Sequence, residues 1–120
     1  MKPDACEAGR RFRKAMSLLK SWTFVRAALA HRVAATTEHL PAIAVCQPNR
    51  LVDAGANKGQ LSLALRAHRP AAKIIAFEPL SAAADTYERV FAKDELASLR
   101  RVALANTEGT AEFYVADRSD

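Results

Sequence analysis

Two carboxylates and two glycines carry most of the chemical information in this sequence. Asp53 closes the aliphatic pair Leu51-Val52, and Glu78 closes the run Lys73-Ile74-Ile75-Ala76-Phe77. Between them, Gly55 and Gly59 frame the segment Ala56-Asn57-Lys58. An acid at the tip of a second strand can accept both hydroxyls of a ribose, and residues without a Cβ let a ligand approach the backbone. Together they describe a site for a nucleoside-containing cofactor. The spacing narrows the chemistry further. A dinucleotide fingerprint is G-x-G-x-x-G, whereas this turn is G-x-x-x-G with Asn57 where the second glycine would fall. A phosphate-binding P-loop needs Gly-Lys-Ser/Thr, whereas Lys58 precedes Gly59 and Gln60-Leu61 follow. Phosphate binding is disfavoured on both counts.

Such a site needs strands to deliver the acids and helices to open from the turns. Residues 50–54 read as a short buried strand, and Gly59 to Arg69 as a helix with Leu61, Ala64, Leu65 and His68 on one face. Arg66, His68 and Arg69 fall in its last turn, where cations suit the helix dipole, and Pro70 stops it. Residues 73–78 form a near-continuous apolar run, which fits a parallel strand covered on both faces. A helix over 81–93 follows, with Ser81 as its N-cap and Ala83, Tyr87, Val90 and Phe91 facing inward. Leu99 to Ala105 is expected as a third strand and Thr110 to Ala116 as a fourth, alternating around Phe113 and Val115. Strands and helices alternating in this way imply right-handed crossovers and a parallel α/β sheet. Ligands of such sheets bind beyond the carboxyl ends of the strands, where Asp53, Gly55 and Glu78 fall.

The chain has 120 residues and a net charge of +5. The excess lies at the start: residues 1–35 hold eight Lys/Arg against two acids, and the remainder ten against eleven. Residues 10–36 have helical periodicity, with Leu18, Trp22, Val25, Leu29 and Val33 on one stripe. A basic amphipathic helix can make weak contact with an anionic membrane surface. Packing on its own domain is the favoured expectation, and without interleaved aromatics or base-reading groups no nucleic-acid partner is expected. Residues 38–50, punctuated by Pro41 and Pro48, read as a connector. No apolar run is long enough to span a bilayer, and residues 1–14 lack a secretory apolar core, so the expected location is cytoplasmic. The two cysteines, Cys6 and Cys46, are too few for a disulfide scaffold, and Cys46 reads as a buried small hydrophobe. His31, His39 and His68 have no second ligand at helical spacing, so no metal site is expected.

Val52-Asp53-Ala54-Gly55-Ala56-Asn57-Lys58-Gly59-Gln60, then Ala76-Phe77-Glu78-Pro79-Leu80, then Val102-Ala103-Leu104 leading to Glu108-Gly109 and Glu112-Phe113, resemble the FkbM family of class I S-adenosylmethionine-dependent methyltransferases. The pairing of D-x-G-A-N-x-G with F-E-P is what makes the match specific. It spans residues 51–120, and Ala105 stands where the family pattern has glycine. The resemblance implies a Rossmann-like methyltransferase sheet with S-adenosylmethionine as cofactor. It places Asp53, Gly55, Ala56, Asn57, Gly59 and Pro79 along the cofactor and Glu78 at its ribose. It implies O-methyl transfer to a small-molecule acceptor, a sugar or natural-product hydroxyl, and it names no catalytic base. The chain reads as about four strands of a larger sheet. The expected division is a helical segment and connector at 1–49 and the N-terminal half of a methyltransferase domain at 50–120. Two other classes stay open: a non-catalytic remnant or small binding module, and a nucleotide-cofactor oxidoreductase.

Overall fold

The computed structural model of the chain describes residues 25–116. The order of elements is a helical stretch at residues 25–31 (α1), α2 (Leu40–Cys46), β1 (Arg50–Ala54), α3 (Gln60–His68), β2 (Lys73–Phe77), α4 (Ser81–Val90) and β3 (Ala97–Arg100). The strands form a parallel sheet in the order β1-β2-β3. Asp53 lies opposite Ala76, Ala54 opposite Phe77, and Phe77 opposite Arg100, so all three strands end at one edge of the sheet.

Alternation along the strands separates two faces. Asp53, Ile74 and Ala76 are buried, whereas Val52 and Ile75, pointing the other way, are 63% and 43% exposed. The expectation that residues 73–78 would be covered on both sides is corrected: among the described residues, one face of the sheet carries the core. A depression of about 700 Å³ lies over the other, lined in part by Val52, Ile75 and Ser98.

Two clusters fill the covered side. In one, Ala27 and Val33 pack with Ala56, Leu63, Ala76, Tyr87 and Phe91. In the other, Ile43 of α2 packs with Ala64, Leu65, Ala72 and Ile74. Residues ahead of β1 therefore share the core of the sheet. Residues 10–24 of the expected long helix, and Cys6, lie outside the described residues. Its described part differs from expectation: the helix ends at residue 31, Leu29 is 80% exposed, and Ala27 with Val33 supply the buried contacts.

The segment read as a connector contains α2, because Pro41 sits in the first turn, where a missing N–H costs no hydrogen bond. Gln47 ends it in the left-handed region at φ 43, its N–H donating to the Ile43 carbonyl at 2.9 Å. Cys46 is exposed, not buried: the side of α2 that meets the core carries Ile43, its one buried residue, with Leu40 packed at the margin. His68 likewise lies outside the buried face of α3.

The C-terminal end of α3 is held by Arg66. Its Nη1 donates to the carbonyls of Pro70 at 2.7 Å and Ala72 at 2.8 Å, while Nε and Nη2 grip both oxygens of Asp94 at 2.6 and 3.1 Å. This bidentate grip joins the last turn of α3 to the loop before β3. The helix expected over 81–93 stops at Val90, and Ser81 is its first residue. Leu80 is the N-cap, with no side-chain cap bond. The third strand starts earlier and ends sooner than the expected 99–105. The expected fourth strand is absent: residues 101–116 carry no regular structure, and every one is exposed. Phe113 and Tyr114, neighbours that would face opposite sides of a strand, are 55% and 97% exposed, so alternation there has no buried face to define.

Candidate cofactor site

The site is built where β1 and β2 end. Gly55 turns the chain out of β1 at φ +73, Asn57 continues at φ +50, and Gly59 enters α3 at φ +95. All three lie in the left-handed region, which glycine adopts freely and asparagine tolerates better than most residues.

The N–H groups of this turn are largely committed within the protein. Those of Gly55 and Ala56 both donate to the carbonyl of Phe77, at 2.9 and 3.0 Å, and that of Gly59 donates to Ala56 at 2.9 Å. The N–H of Asn57 donates to Oε2 of Glu78 at 2.8 Å. Oε1 of the same carboxylate accepts the N–H of Leu80 at 2.9 Å. A phosphate cradle presents several free N–H donors converging on one point. Here four of the five residues from Gly55 to Gly59 have theirs engaged, so the turn offers a ligand space and a carboxylate.

Space exists over Gly55, where a Cβ would have no atom within 4 Å. It belongs to a cleft of about 1300 Å³ bounded by Gly55, Asn57, Glu78, Pro79, the first turns of α4 and residues 113–116. That exceeds the roughly 300–1,000 Å³ of most small-molecule pockets, so an extended nucleoside has room. Glu78 is buried but lines the cleft. Each of its oxygens accepts one backbone bond, and a carboxylate has about four acceptor positions, so capacity remains for two hydroxyls.

Of the seven residues expected at the cofactor, the cleft is lined by Gly55, Asn57, Glu78 and Pro79. Asp53, Ala56 and Gly59 lie behind the turn. Ala56 is in the core with Leu63 and Tyr87. Gly59 faces an aromatic pair: Tyr87 and Phe91 stack with centroids 4.5 Å apart, and a Cβ on Gly59 would come within 2.6 Å of Phe91 Cε2. Close packing of the turn on α4 is thus the local reason for this glycine.

Asp53 points into the covered side, where its Oδ2 accepts the Ser62 hydroxyl at 2.7 Å. Tyr87 donates its phenol to Ser62 Oγ at 3.1 Å. The three form a buried chain linking the end of β1, the first turn of α3 and the middle of α4. Burial pushes the Tyr87 phenol up to about 12, the Ser62 bond opposes that shift, and the Asp53 charge adds to it. Ser62 was not singled out from the sequence. Its signal is a small polar residue between Leu61 and Leu63, on the apolar side of a helix and nine positions after an acid.

Compared with known proteins, the chain matches no protein-family model and no curated protein.

Proposed function

We propose that the chain binds S-adenosylmethionine in the cleft at the ends of β1 and β2, as the cofactor-binding part of an FkbM-type methyltransferase. The observation that carries this reading is the carboxylate of Glu78. It is fixed by the N–H groups of Asn57 and Leu80, borders the cleft, and retains acceptor capacity for a ribose diol. The commitment of the turn's amides favours a cofactor without phosphates over a dinucleotide. Open space above Gly55 suits close approach of the ligand to the backbone.

In this reading Glu78 holds the ribose, and Gly55 with Asn57 forms the wall along the rest of the cofactor. Asp53 acts at one remove, by fixing Ser62 and hence the entry of α3. The cofactor supplies a methyl group on a sulfonium. Transfer of that methyl to an acceptor oxygen, with the neutral thioether of S-adenosylhomocysteine as leaving group, would depend chiefly on positioning, and no described residue is assigned as a base. Calorimetric titration tests the proposal. S-adenosylmethionine and S-adenosylhomocysteine should bind at one saturable site, and Glu78→Ala should weaken both more than tenfold. Preferential binding of NAD would favour an oxidoreductase, and absence of binding to any of them would favour a module with another role.

A further inference from the structure

Residues 101–116 leave β3 at the same edge of the sheet as the cleft, and their far end forms one of its walls. Near its start the segment is fixed to α4 by Arg101. Nε and Nη2 engage both oxygens of Glu88 at 3.1 and 2.7 Å, and Nη2 also reaches Asp85 Oδ1 at 2.7 Å. Asp85 and Glu88 are three residues apart on α4 and so share a face, which suits a forked guanidinium. Asp85 itself borders the cleft. Beyond Arg101 the chain runs exposed until Phe113 and Tyr114 stand at the cleft with their rings largely in solvent. Two adjacent exposed aromatics on a segment without core contacts have no folding role among the described residues. Their position beside a nucleoside-sized space provides another.

Resting on the cofactor reading above, we propose that residues 101–116 are a strap, anchored on α4 by Arg101, whose Phe113 and Tyr114 close over the base of the bound nucleoside. The order of the strands sets the direction. With the Gly55 turn at the end of β1 and the ribose at Glu78 after β2, the base lies on the β3 side, from which the strap departs. An aromatic ring stacks on the face of any base, so the contact needs rings at this position and not hydrogen-bonding groups.

The test is titration of the full chain with S-adenosylhomocysteine, comparing the unaltered protein with Phe113→Ala/Tyr114→Ala, Tyr114→Phe and Glu78→Ala. The double alanine variant should raise Kd roughly 5- to 150-fold, the range expected for loss of base stacking. Tyr114→Phe should bind like the unaltered chain, because the ring is kept. Phe113 and Tyr114 are exposed, so circular dichroism and thermal midpoint should be unchanged in the two variants at these positions. If the double alanine variant binds as tightly as the unaltered protein while Glu78→Ala does not, the strap is refuted and the cofactor site stands. If Tyr114→Phe loses as much as the double variant, a hydroxyl contact replaces stacking and the proposal fails. If the unaltered chain does not bind, both proposals fall.

Discussion

The backbone N–H of Asn57 donates to the carboxylate of Glu78 at 2.8 Å, across 21 positions of sequence. This bond joins the turn after β1 to the tip of β2 and gives Glu78 one orientation relative to Gly55. With the Leu80 N–H on its other oxygen, the carboxylate organises the site as well as bordering it. Glu78→Ala removes the acceptor of two backbone donors and should cost about 1–3 kcal/mol of stability. Glu78→Gln keeps the side-chain shape but turns one acceptor into a donor facing an N–H, and should also destabilise. Urea denaturation measures both, and equal midpoints for Glu78→Ala and the unaltered chain would contradict the structural role.

The two glycines should separate by mechanism. Gly59→Ala places a Cβ 2.6 Å from the Phe91 ring at a φ of +95, so steric overlap adds to backbone strain. Gly55→Ala meets strain alone, about 1–2 kcal/mol, with open space around the new methyl. The Gly59 variant should therefore be the less stable, and Phe91→Leu should recover part of its loss. The Gly55 variant should lose ligand affinity instead, because the methyl enters the cleft. Thermal midpoints and titration of the same two proteins check both halves.

Ser62→Ala should destabilise by about 1–3 kcal/mol, since it leaves the buried Asp53 oxygen without the hydroxyl that serves it. Tyr87→Phe breaks the other end of the chain. A double-mutant cycle between the two positions should give a coupling of roughly 0.5–3 kcal/mol, as expected for groups in one network. Simple additivity would show that the chain does not act as a unit.

Tyr87 also gives stability an alkaline limit. Its phenol titrates near 10 in the unfolded chain and is pushed up to about 12 in the fold, chiefly by burial. Below pH about 10 both states hold the proton, and the contribution is fully present. Between about 10 and 12 the unfolded chain has lost the proton that the fold retains. Stability then falls by about 1.4 kcal/mol per pH unit from this group. Unfolding free energies of the unaltered chain and Tyr87→Phe, measured across that window, should converge as pH rises. Parallel curves would contradict the shift.

The positions of the site's backbone elements were legible in the sequence because each carries its own punctuation. Pro70 ends α3, Pro79 follows β2, and the two glycines mark the turn. What stayed hidden depends on contacts between distant segments. Pro41 reads as a breaker, yet it starts α2, because the first turn of a helix tolerates its missing donor. The buried role of Ser62 is visible only once Asp53 and Tyr87 converge on it from β1 and α4. Residues 110–116 have a strand-like alternation, but a strand also needs a paired edge and a buried face, and these residues join neither open edge of the sheet and are all exposed. Without that pairing, Phe113 and Tyr114 both stand exposed at the cleft.

The most direct test of the cofactor assignment is calorimetric titration of the chain with S-adenosylhomocysteine, with NAD as the comparison and Glu78→Ala as the control. A site of this kind at Glu78 gives saturable binding of S-adenosylhomocysteine at one site, weakened more than tenfold in the variant, and no binding of NAD. Binding of NAD alone, or S-adenosylhomocysteine affinity indifferent to Glu78, would contradict the assignment.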